Sequence, residues 1–589
     1  MTTPPRSRLL RCAAPIVVAG LMLAGCAQEP PPDHAGRVTA LADRYVADYL
    51  SAFPYMALVL GAPDSQPAAL ADHSLAALQR WQAAEDAMLA ELTQIDPSTM
   101  AGTPAGLTYT FLKNQLESAR DMRVCRMELW NVSPTWTGWQ GEFPLVAGMQ
   151  AVGTADDRRA AVTRWAQLPA WLDTEITNLR AGLAQGYTAP RSNVESVIRQ
   201  MDALLSARVD DSPFVQMAAE PGPFRDQLIA LETGGIRPAI TRYRDFLKTD
   251  YLPRARTAIG VSTNPNGDAC YRAAVKYHAT VDMTAQQIHD TGLAEMRKLQ
   301  DEVSQIGLRM FGTSDPVRVL SLARSERRYR FTSREELIAY AEAAVERARV
   351  ALPNWFGRVP KAPVVVEPYP AFLEKTAPAG QAIPPGADGS PGKYMINAYN
   401  ATAQSRAGLE STAFHEAYPG HHLQVALALE REGLHPIGRY FFLSGFGEGW
   451  ALYTERLADE MGLFSGDIDR LGLLSNEALR AARLVVDSGM HMLGWTRQRA
   501  IDYLLANTTE TPDRAAAEVD RYTAVPGQAT SYMLGNLEIR RLRTSAQRAL
   551  GDRFDIKAFH DAVLEEGSLP LWALRDKIER WVAAQQTTK

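Results

Sequence analysis

The stretch Phe414-His415-Glu416-Ala417-Tyr418-Pro419-Gly420-His421-His422-Leu423-Gln424 carries three of the chain's ten histidines, set beside a carboxylate. Imidazole nitrogen and carboxylate oxygen are ligands of zinc, with bonds of about 2.0–2.2 Å, and a catalytic site keeps one position open for water. In the common arrangement two histidines lie four residues apart on one helix face, about 6 Å along its axis, and share the ion. The spacing here is different. His415 and His421 are six apart, so an unbroken helix points them about 120° away from alignment, and His415 and His422 share a face but sit about 10.5 Å apart. Neither pair chelates zinc from a regular helix. Pro419 removes a backbone donor and clashes with the preceding turn, while Gly420 tolerates unusual dihedrals, so the helix carrying His415 and Glu416 is expected to break at this pair. Absorbing two extra residues brings His421 to the second ligand position. His422 requires three and stands as the alternative.

A third ligand is expected from another helix, and the segment from Phe446 to Leu457 offers Glu448 and Glu455. These are too far apart along one face to serve one ion equally. Glu448 lies between two glycines in apolar surroundings, where a carboxylate is costly to bury unless it meets a cation, and is the expected ligand. Glu455 has two readings: it orients a ligand histidine through the other ring nitrogen, or it pairs with Arg456 or another surface base. Glu416, not itself a ligand, is the expected general base, and the expected cofactor is one zinc ion. Farther on, Arg483, Asp487 and His491 recur every four residues and make one polar stripe on an otherwise apolar helix. The stripe is expected to be buried near the site, with His491 steadying an oxyanion and Asp487 setting its tautomer. Arg540, Arg541 and Arg543 are read as an exposed basic face.

Around this segment, the chain of 589 residues exceeds the size of one hydrophobic core, so packed lobes are expected. Its net charge of −5, with acids and bases interspersed, leaves no basic stripe for a phosphate backbone, which excludes nucleic acid as a partner. Arg6, Arg8 and Arg11 precede an apolar run that ends in Leu23-Ala24-Gly25-Cys26, a secretory signal too short to span a bilayer. Ending in cysteine, it resembles the bacterial lipobox, whose cysteine carries the lipid anchor. The expected organisation is a signal peptide over 1–25, a proline-rich tether over 26–34, a helical lobe over 35–275 and a metal-binding catalytic lobe over 276–589. The chain is expected on the periplasmic side of the envelope, anchored to the outer membrane through Cys26. Cys125 and Cys270 then remain in the mature chain, open to a disulfide or to two buried thiols.

Apolar residues recur at helical spacing over most of the chain, as with Val38, Leu41, Tyr45 and Tyr49, and over 75–92, 160–183, 194–205, 240–251, 284–306 and 333–352. Trp130, Trp136 and Trp139 fall among glycines in a non-periodic stretch that reads as core packing rather than a peptide groove. Residues 362–367 and 393–399 are the strand candidates, and the Pro- and Gly-rich 378–392 between them reads as an exposed loop. The resulting small sheet either offers its edge to an extended peptide or is a structural ribbon.

Four blocks carry a family resemblance: HEAYPGHHLQ over 415–424, GEGWALYTERLADEMG over 447–462, RLVVDSGMHMLGW over 483–495 and PGQATSYMLGNLEIRRLR over 526–543. With the lipoprotein start, the chain resembles the bacterial family catalogued as domain of unknown function 885. That resemblance implies a mainly α, multi-helix metallopeptidase-like fold with a deep groove and a small sheet beside the active-site helix, akin to gluzincin peptidases such as thimet oligopeptidase, angiotensin-converting enzyme and Taq-type carboxypeptidase. It implies His, His and Glu as zinc ligands, a Glu base and a tyrosine facing the metal. Tyr532, one helical turn after Gln528, is the residue expected in that last role. The departure is the two extra residues between His415 and His421. The expected activity is hydrolysis of peptide bonds in oligopeptides. Amide hydrolysis of cell-wall peptides or other small amides is one alternative, and a non-catalytic, metal-containing surface binding protein is another.

Overall fold

The periodic segments fold as the helices they predict, and the early ones pack around the later ones. In the computed structural model, which describes residues 33–370, 374, 377–386 and 389–587, helix His34–Ala52 turns Val38, Leu41 and Tyr45 inward. Leu75–Leu92 is one helix. Thr284 and Ser333 accept hydrogen bonds from the third backbone N–H of helices Ala285–Phe311 and Arg334–Ala351, satisfying donors that the first turn leaves free. The signal, Cys26 and nearly all of the tether lie outside the described residues. Among the described residues, no helix is long and apolar enough to cross a membrane.

The fold is mainly α, with, among the described residues, one sheet of three strands, β1 (Val364–Pro368), β2 (Gly380–Ile383) and β3 (Gly392–Ile396). β3 is central, parallel to β1 and antiparallel to β2. β1 and β3 fall where expected, but β2 corrects the reading of 378–392 as loop throughout. Its residues Gly-Gln-Ala-Ile have little strand propensity of their own, and the ladder from Gly380↔Ile396 to Ile383↔Lys393 extends them.

Three large hydrophobic cores hold the helices together. One is drawn from 70–255 alone. The other two cross the boundary expected at 275: Val38, Leu41 and Phe111 share a core with Phe414, Trp450 and Phe559, and Trp130 and Tyr271 share one with Ile288, Leu484 and Met533. Trp130, Trp139 and Phe143 are buried, and of that aromatic stretch only Trp136 points outward. Cys125 and Cys270 form a disulfide across a separation of 145 residues. Closing so long a loop in the unfolded chain stabilises the fold by about 5 kcal/mol in the chain-entropy account.

Candidate metal centre and its cavity

The helix Leu409–Glu416 stops one residue past His415, and a new helix, His421–Glu430, begins at His421. Between them Ala417 leaves the helical region (φ −101°, ψ −102°) and the Tyr418–Pro419 bond is cis. Gly420 passes so close to the end of the first helix that a Cβ there would lie 1.9 Å from the carbonyl oxygen of His415, so only glycine fits. The break that Pro419-Gly420 predicts is present. Its effect is to set the rings of His415 and His421 at 88° to one another with centroids 4.8 Å apart.

The third member comes from helix Ser444–Glu460, which crosses helix Ser531–Leu550 at very close range. A Cβ on Gly535 would lie 1.9 Å from the carbonyl oxygen of Gly445 and 2.7 Å from the Cα of Gly449, so glycines on both helices permit the approach. Glu448 sits within that crossing. Its Oε2 is 3.5 Å from Nε2 of His415 and 3.4 Å from Nε2 of His421, and one ligand atom from each of the three residues lies within 4.8 Å of the others. Bonds of about 2.0–2.2 Å to one tetrahedral ion place ligand atoms about 3.3–3.6 Å apart, so this donor set suits a single zinc.

Glu455 lies behind His415. It is fully buried, its Oε1 accepts from Nδ1 of His415 at 2.8 Å, and it accepts a short hydrogen bond from the hydroxyl of Ser411. Arg456, the rival partner, pairs with Glu302 and Glu477 instead. With Nδ1 donating, the lone pair of His415 is at Nε2, directed to the cluster. Burial alone would lower the pKa of His415, but Glu448 and Glu455 at its two nitrogens raise it to about 9. Burial acts on Glu448 in the upward direction, yet His415 and His421 hold it far below the usual carboxylate range. The metal-free cluster therefore holds protons that a metal displaces on binding.

The cluster opens into a cavity of about 560 Å³, whose lining includes Glu416, Tyr532 and the strand β2. Among the described residues, no hydrogen bond or ion pair engages the Glu416 carboxylate. Burial and the nearby Glu448 charge raise the pKa of the Tyr532 hydroxyl, which keeps it protonated and a donor. His422 also borders the cavity, but its Nε2 bonds the carbonyl oxygen of Ala362 at 3.0 Å and ties the ring to the start of the sheet. The geometry groups His421, not His422, with His415 and Glu448.

The polar stripe on helix Asp467–Met492 divides. Arg483 lines the cavity. Asp487 and His491 do not, which corrects the expectation that His491 faces the metal. His491 is about 12 Å farther along the helix than Arg483, where it meets the N-terminal half of the chain. The backbone N–H of Val261 donates to its Nδ1 at 3.1 Å, and its Nε2 meets the carbonyl oxygen of Tyr522 at 3.0 Å. Asp487 accepts from the Tyr271 hydroxyl at 2.7 Å and from the backbone N–H of Gly527 at 3.2 Å. Arg540 and Arg541 are exposed and pair with the buried Glu477 and Glu538, whereas Arg543 is half-buried between Glu460 and the Tyr453 hydroxyl, which corrects the expectation of an exposed basic face at that position. Two features of the site were not anticipated: Ser411, which donates to Glu455 behind His415 and is detectable one helical turn before it, and Arg480, which lines the cavity and carries no local signal.

The profile of the family described as bacterial protein of unknown function (DUF885) matches residues 54–578. The crystal structure of a presumptive lipoprotein from Colwellia psychrerythraea has a TM-score of 0.82 with this chain at 27% identity, covering 94% of this chain and 99% of that one. That of a presumptive lipoprotein of unknown function from Shewanella oneidensis has a TM-score of 0.74 at 20% identity, covering 92% and 99%, and shares the fold. No curated protein matches the chain.

Proposed function

We propose, for a chain that belongs to the bacterial DUF885 family, that it is a zinc-dependent peptidase cutting oligopeptides. The observation that carries this reading is the convergence of His415, His421 and Glu448 at one wall of a cavity that also holds the unengaged Glu416. Three protein ligands are the number found in catalytic zinc sites, whereas structural sites have four. A zinc ion held there supplies positive charge that lowers the pKa of water and polarises a carbonyl. Glu416 accepts a proton from the attacking water and delivers it to the leaving amine as the C–N bond breaks. The Tyr532 hydroxyl donates a hydrogen bond to the carbonyl oxygen as it gains negative charge. Glu455 keeps the His415 ring in the orientation and tautomer that a ligand needs. β2, an edge strand lining the cavity, offers main-chain groups to an extended peptide.

The same reading anchors the protein through lipid on Cys26 to the periplasmic side of the outer membrane. The Leu-Ala-Gly-Cys signal ending, the Cys125–Cys270 disulfide and the lipoprotein relative at 27% identity support that placement.

Replacing Glu416 with Gln tests the mechanism. The variant should keep one zinc per chain by metal analysis while losing peptide hydrolysis by about a thousandfold, within the range for removing a general base. Undiminished cleavage of a mixed peptide library by that variant would refute the assignment.

A further inference from the structure

In the wall of the metal cavity, helix Asp467–Met492 presents two guanidinium groups one turn apart, Arg480 and Arg483, both lining the space. Arg483 is buried. Its Nε donates to the Tyr522 hydroxyl and its Nη2 to Glu518, each at 3.0 Å, but its Nη1 has no partner among the described residues. Nor has the Nε of Arg480, whose Nη1 reaches only the Asn476 carbonyl of its own helix. A guanidinium has five N–H donors and no acceptor, and buried donors are nearly always satisfied. Tyr532 lies against both groups, its ring centroid 6.0 Å from the Arg480 Cζ and 4.5 Å from the Arg483 Cζ. An aromatic face attracts the cations but accepts no in-plane hydrogen bond from their edges.

The carboxylates nearest these groups are already engaged. Glu518 already accepts from Arg483, Arg521 and the Tyr522 hydroxyl, and Glu510 is paired with Arg514. Glu455 is 4.0 Å from Arg480, but its oxygens are taken by His415 and Ser411. Arg483 and Arg521 thus share Glu518, and the carboxylate paired with Arg480 is the already engaged Glu455. What remains are two guanidinium groups that line a cavity and carry buried donors no protein group accepts, and the ligand that matches a guanidinium is a planar carboxylate.

We propose that Arg480 and Arg483 form a carboxylate-binding subsite that takes the C-terminal carboxylate of the substrate, so that cleavage occurs close to the C-terminal end of a peptide. The identity of the carboxylate rests on the peptidase reading, while the subsite itself does not. Two features favour a chain terminus. The subsite abuts the metal cluster, separated from it by Tyr532 and the Glu455 carboxylate. The cavity has the size of a small-ligand pocket rather than of a channel for a passing chain. An acidic side chain beside the scissile bond offers the same chemistry and is separated from a chain terminus by the test.

The test uses the zinc-loaded full chain and N-acetylated tripeptides in three forms: uncharged side chains with a free C-terminal carboxylate, uncharged side chains with a C-terminal amide, and amidated with Glu as the last residue. Binding to the Glu416→Gln variant is measured by calorimetry and hydrolysis is measured with the unsubstituted protein. The free acid should bind about tenfold more tightly than the neutral amide, the size expected for one charge-assisted contact. Arg480→Gln should abolish that preference and Arg480→Lys should retain part of it, with zinc content and melting temperature recorded for both. Equal binding of all three peptides overturns the subsite, and this comparison needs no arginine variant. Recovery of tight binding by the Glu amide overturns the C-terminal assignment in favour of an acidic side chain. If the free-acid preference holds but no peptide is cut, the subsite stands and the peptidase reading falls. If the free acid and the amide with uncharged side chains bind and are cut alike, the peptidase reading stands and the subsite falls.

Discussion

Two buried histidine–carboxylate clusters lead opposite lives in the fold. His415 with Glu455 and His491 with Asp487 both lie on helices rich in apolar residues, and both carboxylates are fully buried. In the first cluster only one ring nitrogen is spent on holding the ring, and Nε2 faces Glu448, His421 and a cavity. In the second, both nitrogens are consumed by the backbone of Val261 and Tyr522. The titration follows the same division. Two carboxylates raise His415 to about 9 against burial, whereas burial lowers His491 to about 4. A histidine beside an acid is therefore free to take a ligand when a donor atom is left unspent toward open space, and is a structural strut when none is.

The contrast can be broken most directly by removing each ring. His421→Ala should lose zinc on dialysis and reduce peptide hydrolysis by about a thousandfold, since the ion contributes several kcal/mol to the transition state. His491→Ala should keep its zinc but lower stability by about 2–4 kcal/mol, because it strands a buried N–H and a buried carbonyl. Zinc loss from a folded His491→Ala protein would end the distinction. A smaller effect is expected from the residue behind the ligand: Glu455→Ala should weaken zinc affinity by about 10–100-fold, measured by competition with a chelator.

The smallest effect sharpens the sealed cluster. Burial raises the pKa of Asp487 to about 7, partly opposed by the Tyr271 and Gly527 hydrogen bonds. A carboxyl of the unfolded chain titrates near 3.9. Between these values the folded state holds a proton that the unfolded state has released, so this contribution is complete below about pH 4 and is lost as the pH rises through about 7. Asp487→Asn keeps an oxygen for both hydrogen bonds and cannot ionise. Relative to the unsubstituted protein, it should gain stability over that interval by at most about 1.4 kcal/mol per pH unit. Denaturant unfolding at about pH 5 and about pH 8 measures the difference, and an unchanged gap between the two proteins would show that Asp487 does not titrate there.

Much of this arrangement is legible in the sequence where the decisive interaction is local. The helical periods, the caps at Thr284 and Ser333, and the break between His415 and His421 all arise from contacts within a few residues, and so does the expectation that His421 lies where the second ligand belongs. Glu448 is legible for a different reason, since a carboxylate among glycines and apolar residues needs a cation. The reading of 378–392 as loop failed because β2 owes its extension to β3, and the reading of His491 failed because a four-residue stripe cannot tell which neighbour each turn of its helix meets.

The sequence by itself determined that a mainly α chain carries a His-Glu segment with a built-in helix break, followed by a carboxylate helix able to complete a metal site. Only the tertiary structure decided that Glu455 stands behind His415, 40 residues away, that His422 ties down the sheet and that His491 closes on Val261, 230 residues away. It alone placed Arg480 and Arg483 in the wall of the same cavity as the cluster. The physical reason is the range of the interactions. Backbone sterics and side-chain periodicity act over one or two turns and are encoded locally, whereas the hydrogen-bond partner of a buried polar atom is chosen by whichever distant segment the cores bring against it.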